Sequence, residues 1–379
     1  MNSISMKWSL FKLSAMQSQL TNDINQVIKA THYRPAITLV VPFPASVNLR
    51  TDLMHKLKDA ADQVEKDLST YYPGDLVKPL NVKLRSFIAG LKPDPSRKAV
   101  AIFMSPVFEK AVFLNTTASE KIVIDEYFDI RDLLNDLKQI QPYLILVLSS
   151  KGSHMFLNKR GSLTKLSPAM PESISAYIND APEKVANFTD AKKRNEIVVE
   201  KFLRHIDDAL LDVIKAYKIP VFVMGVEKLL GQFNLSKHAD SVAGYIEGNY
   251  EKASAAELKE LVKPKLAALE AKKQRKLLEQ VEKAEDKGQL AVGLEESLRE
   301  VENNKGRLLV VEKNYKYPAL HGSDDSWNYQ AEESDGQLSR MSDAVGDLIE
   351  KMLRNGGEVE LVEDGMLDKY QHVALVQFY

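Results

Sequence analysis

Short apolar runs bounded by turn residues recur along the chain, and each predicts a buried β-strand. The clearest run, Tyr143 to Leu148, is followed by the shorter segments 154–157 and 163–166, with polar or glycine-containing turns between them. Runs of this length between turns are typical of strands joined as hairpins. Further runs predict strands at residues 36–41, 99–104, 110–114, 121–124, 220–226, 307–311, 358–362 and 372–378.

Apolar residues at three- and four-residue steps predict amphipathic helices among these strands. They cover residues 1–30, 48–68, 75–88, 129–137, 190–217, 254–287, 290–302 and 345–353. Ser254 and Glu257 form a capping box at the start of the sixth helix, and Pro264 is expected to kink or divide it. The polar stretches 167–187 and 315–338 are predicted to be long loops or excursions.

This order of elements predicts an α/β protein of three domains, each a mixed sheet with packed helices. A chain of 379 residues is too long for one core. We place the domains at residues 1–138, 139–270 and 271–379. The boundary between the second and third domains falls in the charged helical region that follows Ser254.

Composition narrows the possible functions. The chain has no cysteine, which excludes thiolate metal sites, disulfides and a cysteine nucleophile. No apolar run approaches the roughly 20 residues of a membrane span, and the N-terminal residues lack a secretory signal pattern. We therefore expect a cytoplasmic protein that does not associate with a membrane. A formal net charge of −2 argues against non-specific coating of nucleic acid, and we expect no DNA partner.

Known catalytic signatures are absent from the sequence. It contains no phosphate-binding P-loop, no dinucleotide glycine fingerprint, no Gly-x-Ser-x-Gly elbow and no His-Glu-x-x-His helix. His154 and His205 lie beside apolar positions, where packing is the more frequent role. We predict no cofactor and no metal site.

Two basic clusters are the candidates for RNA contact. Lys192, Lys193 and Arg194 begin the long helix 190–217, where cations are disfavoured by the helix dipole. Lys272, Lys273 and Arg275 belong to the basic centre of the helix 254–287. Each cluster is alternatively a solvated helix face.

The pattern as a whole resembles the bacterial branch of the archaeo-eukaryotic peptide-chain release factor family. The resemblance depends on the order of several segments, namely 37–42, 99–105, 122–134, 143–166, 220–227, 307–312 and 353–362. It implies a middle domain with a ribonuclease H-like fold and a last domain similar to kink-turn RNA-binding ribosomal proteins. It also implies binding to the ribosome or to tRNA.

The catalytic loop of true release factors has no counterpart here. In that family, a Gly-Gly-Gln loop of the middle domain assists water in attacking the peptidyl-tRNA ester, and the matching segment of this chain is Ser167–Asn195. No glycine and no glutamine occurs from Ser162 to Met224, and Gly231-Gln232 follows the next strand. No catalytic residue can therefore be carried over from the family.

Three functions remain open at this point. The first is a release-factor-like protein that binds ribosome or tRNA in translation rescue or stress without hydrolysing peptidyl-tRNA. The second is a tRNA-directed hydrolase or nuclease whose site is in the 167–187 loop. The third is a protein-interaction scaffold, which the net charge and the acidic excursion near residues 320–338 would suit.

Overall fold

The structure is a computed structural model of the 379-residue chain. It describes residues 21–30, 34–43, 49–139, 142–159, 162–166, 173–177, 191–233, 242–321, 327–328, 340–341 and 343–379, without the side chains of residues 49, 139, 176, 191–195 and 319–341. By its internal contacts the chain divides into two compact units. One, the middle unit, contains residues 140–275, and the other, the discontinuous unit, contains residues 17–139 and 276–379. The two predicted boundaries between three domains, after residues 138 and 270, stay a prediction.

The first part of the discontinuous unit is an antiparallel sheet covered by two helices. The strands are β1 (Ala36–Pro42), β2 (Ala99–Ser105), β3 (Phe108–Leu114) and β4 (Lys121–Asp125), in the order β3-β2-β1-β4. The helices are α1 (residues 21–29), α2 (Leu49–Tyr71), α3 (Gly74–Ala89) and α4 (Arg131–Gln139). Alternate residues of β1, such as Leu39, pack against the apolar stripes of α2 and α3. The predicted strands and helices of this part are confirmed where they are described.

The middle unit contains a five-stranded mixed sheet. Its strands are β5 (Tyr143–Leu148), β6 (His154–Lys159), β7 (Ser162–Leu166), β8 (Val221–Gly225) and β9 (Val242–Glu247). Their order is β7-β6-β5-β8-β9, with β6 and β7 antiparallel to their neighbours and β5, β8 and β9 parallel. This is the arrangement of the predicted ribonuclease H-like fold.

Two long helices cover opposite faces of the middle sheet. Helix α5 (Ala191–Tyr217) packs with the even-numbered residues of β5, and α7 (Ala255–Asp286) packs with the odd-numbered ones. Successive residues of a strand point to opposite faces, which is why β5 is apolar throughout. Both the short helix α6 (Glu227–Phe233) and strand β9 were absent from the sequence prediction.

The second part of the discontinuous unit is a mixed sheet. Its strands are β10 (Leu290–Val292), β11 (Gly306–Glu312), β15 (Glu358–Val362) and β16 (Val373–Gln377), in the order β10-β16-β11-β15. Three short strands, β12 (Ala319–His321), β13 (Trp327–Asn328) and β14 (Arg340–Met341), pair with one another. The helices are α8 (Gly293–Glu302) and α9 (Ala344–Arg354). The predicted α/β fold class is confirmed. The middle sheet and this sheet are mixed, as predicted, whereas the sheet of β1 to β4 is antiparallel throughout.

Two local predictions for helices need correction. The helix expected from residue 290 begins at Gly293, because Leu290–Val292 pair with β16 and Gly293 has a φ of +76°. Helix α7 is not divided at Pro264 but continues from Ala255 to Asp286. Its predicted cap is confirmed, since the Ser254 hydroxyl accepts a hydrogen bond from the Glu257 amide at 3.2 Å.

A buried ion network ties the two parts of the discontinuous unit together. The Arg131 guanidinium donates to both carboxylate oxygens of Asp129 at 3.0 and 3.1 Å and to the Tyr315 carbonyl at 2.9 Å. It also pairs with Asp343, and Lys121 reaches Asp129 at 2.8 Å. Arg131, Asp129 and Asp343 are all buried. Burial raises the cost of each charge, so the network is stable only while every member keeps its partner.

Candidate nucleic-acid interface

The outer face of α5 carries exposed cationic side chains. Val198, Phe202 and Ile206 turn towards the sheet and are buried, whereas Arg204 and His205 are exposed and Lys201 is partly exposed. The predicted residues Lys192, Lys193 and Arg194 lie in the first turn of this helix, and their side chains are outside the described part of the structure. Arg194 precedes Lys201 by seven residues, which is two helical turns. Further basic residues of α5 therefore lie about two turns beyond the predicted cluster, with Glu196 and Glu200 between them.

A short turn within residues 167–187, the stretch predicted to be a long loop, packs on α5. Residues Ile174–Tyr177 form a 3₁₀ turn, and the Ile174 amide donates to the Ser150 carbonyl at 3.1 Å. The Tyr177 ring packs edge-on against Phe202, with ring centroids 6.2 Å apart. Burial of this ring on α5 fixes the turn at the edge of the basic face.

Polar contacts of Tyr177 complete this attachment. Its hydroxyl forms a 2.5 Å hydrogen bond with Nδ1 of His205, and Nζ of Lys201 lies 5.6 Å from its ring centroid, within cation–π range. His205, for which a packing role was predicted, is an exposed residue whose ring packs against Tyr177, with centroids 5.2 Å apart. We call Tyr177, Lys201, Arg204 and His205 the α5 basic face.

The second predicted cluster is exposed on α7. Lys272, Lys273 and Arg275 follow Leu269, the last α7 residue that packs on the middle sheet. Lys273 is 3.9 Å from the Glu270 carboxylate, so an acid partly offsets its charge. These residues are long, solvated cations on a rigid helix, which is the form of side chain that contacts phosphate groups.

The structure does not bring the two predicted clusters together. Helices α5 and α7 cover opposite faces of the five-stranded sheet. One flat surface of the middle unit cannot present both helices. Each basic segment has to be treated as a separate contact region.

The carboxyl edge of the parallel strands is where open α/β sheets usually bind ligands. Here the Ser149 hydroxyl donates to Glu251 at 3.2 Å and accepts from the Lys151 amide at 3.1 Å. The Ser153 hydroxyl donates to the Ser149 carbonyl at 3.0 Å and accepts from the Ser149 amide at 3.1 Å. In the described part of this edge, both hydroxyls thus hold the β5–β6 turn in place.

The glycine–glutamine pair lies in helical structure. Gly231 and Gln232 belong to α6, which directly follows β8. These two residues are thus part of a helix, whereas the Gly-Gly-Gln sequence of release factors forms a loop. The chemistry of that loop is therefore not assigned to Gly231 and Gln232.

A five-stranded mixed sheet between two helices with exposed cations defines the middle unit as an α/β module of ribonuclease H-like topology. Residues 142–305 match the family model of the bacterial archaeo-eukaryotic release factor family 3. This segment contains the middle sheet, α5 and α7. The resemblance to the bacterial branch of the archaeo-eukaryotic release factor family is confirmed over this segment of the chain.

Several solved structures also match this chain at low sequence identity. The archaeal translation termination factor aRF1 is 13% identical over 96% of this chain and 98% of its own, with a TM-score of 0.25. Archaeal Pelota, from a model of ribosome-bound Pelota and ABCE1, is 13% identical over 74% and 77%, with a TM-score of 0.40. Saccharomyces cerevisiae Dom34, a translation termination-like factor of RNA quality control, is 15% identical over 74% and 73%, with a TM-score of 0.37.

At these identities and TM-scores we transfer no residue role from the solved structures. A comparison with curated proteins found no match. In the described part of the chain, no helix combines the length and the apolar character that crossing a membrane requires.

Proposed function

We propose that this protein is a release-factor-like RNA-binding protein that docks on the ribosome or on tRNA in translation rescue or stress. The observation that carries the proposal is the family match of residues 142–305. The exposed cations on α5 and α7 support it, because both helices lie within that segment. Lysine and arginine side chains neutralise phosphates and thereby release counterions, which favours binding.

The distribution of charge favours contact with RNA through particular surfaces of the protein over non-specific coating of the RNA. The whole chain carries 51 basic and 53 acidic residues, so its overall field does not attract RNA. Binding would therefore depend on particular helix faces. Removing cations from one of these faces should weaken binding, whereas removing cations elsewhere should not.

The first test is salt-dependent binding of the full chain to purified ribosomes and to bulk tRNA. Replacing Lys272, Lys273 and Arg275 together by alanine should weaken binding and reduce the slope of log K against log salt by roughly 2 to 3, because each lost phosphate contact removes about one counterion. The matched control replaces Lys58, Lys66 and Lys78, three exposed lysines of α2 and α3, and should leave the slope unchanged.

A second set of variants distinguishes the contribution of α5 to binding from that of α7. Lys201→Ala with Arg204→Ala tests the α5 basic face, and alanine at Lys192, Lys193 and Arg194 tests the start of that helix. If none of these variants differs from the α2–α3 control in either assay, the basic helices are not the docking surfaces. If the unaltered chain binds neither ribosomes nor tRNA at low salt, the proposed function is wrong.

We also infer that docking proceeds without ester hydrolysis. The support is the sequence between Ser162 and Met224, which has neither the glycines nor the glutamine of the release-factor loop. Peptidyl-tRNA incubated with the protein, on and off the ribosome and with and without magnesium, should stay intact. Release of the peptide, or cleavage of the tRNA chain, would favour the hydrolase or nuclease alternative.

A further inference from the structure

Three potential metal ligands lie close together at one end of the sheet formed by β10, β16, β11 and β15. Glu312 ends β11, Asp368 begins the 3₁₀ turn Asp368–Tyr370, and His372 precedes β16. Nδ1 of His372 lies 2.8 Å from a Glu312 carboxylate oxygen and 3.8 Å from one of Asp368, and one donor atom from each residue lies within 4.8 Å of the others. We propose that these three residues bind one divalent transition-metal ion of the zinc type.

The spacing and charge of the three donors suit such an ion. Bonds of about 2.1 Å in a tetrahedral site place donor atoms roughly 3.4 Å apart, between the two distances from His372. Two carboxylates and a neutral imidazole balance a charge of +2. A mixed set of nitrogen and oxygen donors is typical of zinc and of neighbouring transition ions, and three protein ligands leave a position for water.

The ligands are held in place by contacts behind them. Glu312 is buried, and its second oxygen accepts a 2.7 Å hydrogen bond from the Leu367 amide. A carboxylate that accepts a hydrogen bond from a backbone amide is favoured in its ionised form. The carboxylate form required of a metal ligand is thus already favoured.

The orientation of the His372 imidazole is fixed by an unusual backbone conformation and by the neighbouring ring of Tyr315. Gln371 and His372 have φ values of +52° and +67°, a left-handed conformation that side-chain-bearing residues rarely adopt. The Tyr315 ring lies against the His372 ring, with centroids 4.8 Å apart. Consecutive left-handed residues cost free energy, and such strain is often found where a side chain is positioned for binding.

The rival explanation is a plain ion pair, in which a protonated His372 neutralises Glu312 and no metal binds. Titration of the tag-free full chain with Co²⁺, followed by its visible absorption and by Zn²⁺ competition, distinguishes the two. Metal binding predicts uptake of one ion per chain and a higher Tm with Zn²⁺. Asp368→Asn and His372→Asn should each weaken Co²⁺ binding at least tenfold; Asp368 is exposed and asparagine tolerates left-handed φ, so both variants should fold.

The matched control is Glu363→Gln, which removes the same charge from an exposed acid that pairs with Lys313. It should bind Co²⁺ like the unaltered chain. Absence of saturable uptake, or equal affinity in the Asp368 and His372 variants and the unaltered chain, would overturn the proposal. The assay uses no RNA, so its result is independent of the proposed docking function.

Discussion

Replacing Arg131 by alanine should reduce the free energy of unfolding by about 3–5 kcal/mol, the usual cost of removing one partner from a buried ion pair. The substitution leaves the carboxylates of Asp129 and Asp343 buried without the guanidinium that both contact. It also removes the donor to the Tyr315 carbonyl. Urea unfolding of the full chain, monitored by circular dichroism, measures the change.

The matched control is Arg85→Ala on α3. Arg85 also pairs with two acids, Asp62 at 2.6 Å and Glu65 at 2.9 Å, but all three side chains are exposed. Exposed pairs are screened by water and salt and contribute only about 0–1 kcal/mol. Equal destabilisation by the two substitutions would show that burial of the Arg131 network contributes nothing extra.

The network also predicts how stability changes in acid. Burial alone would raise the pKa of Asp129, but the cations of Arg131 and Lys121 outweigh it and hold this pKa well below its usual value. A carboxyl with a lowered folded-state pKa stabilises the protein above its unfolded pKa of about 3.9, and the contribution is lost as the pH falls further. The gap in stability between the unaltered chain and Arg131→Ala should therefore narrow in acid.

Gly346→Ala should destabilise the protein by about 1–3 kcal/mol, although alanine is the better helix former. Gly346 is buried in the first turn of α9, and the Tyr127 ring lies against it. A methyl group there would overlap with the ring carbons and the hydroxyl of Tyr127. The ring cannot easily move, because it is buried and its hydroxyl donates to the Asp343 carbonyl.

Gly231→Ala in α6 should have the opposite effect and stabilise the protein. No atom lies within 4 Å of the position that its Cβ would occupy, so the gain in helix propensity, up to about 1 kcal/mol, should appear without a clash. The two substitutions are chemically identical and should change the midpoint of urea unfolding in opposite directions. If Gly346→Ala also stabilised the chain, the close packing of α9 on Tyr127 would be refuted.

Local pattern was sufficient to predict most of the fold. The run Tyr143–Leu148 is apolar throughout because helices cover both faces of the middle sheet, and such a run identifies a buried strand. The hydrophobic pattern did not predict elements that are short or that lack a regular alternation of apolar and polar residues. Helix α6 spans only seven residues, and β9 contains a glycine and a single fully buried residue, so neither shows a clear period.

The candidate sites were predicted less completely. Exposure of Lys272, Lys273 and Arg275 followed from the charge pattern of one helix. Lys201 and Arg204 were not predicted, because they alternate with the residues of the apolar stripe, and His205 was predicted only to pack. The spacing of Lys201 from Arg194 would have indicated them. Glu312 and His372 are 60 residues apart in the chain, so only the fold brings them together.

The position of the middle unit within the chain affects the order of synthesis. Arg131 is translated 212 residues before Asp343, its partner from the second part of the discontinuous unit. At 5–20 residues per second, the nascent chain waits roughly 10–40 s before that acid emerges. During this interval Arg131 already has Asp129 as a local partner, and the middle unit is translated in full. The discontinuous unit can therefore complete its own contacts only after the middle unit has been translated.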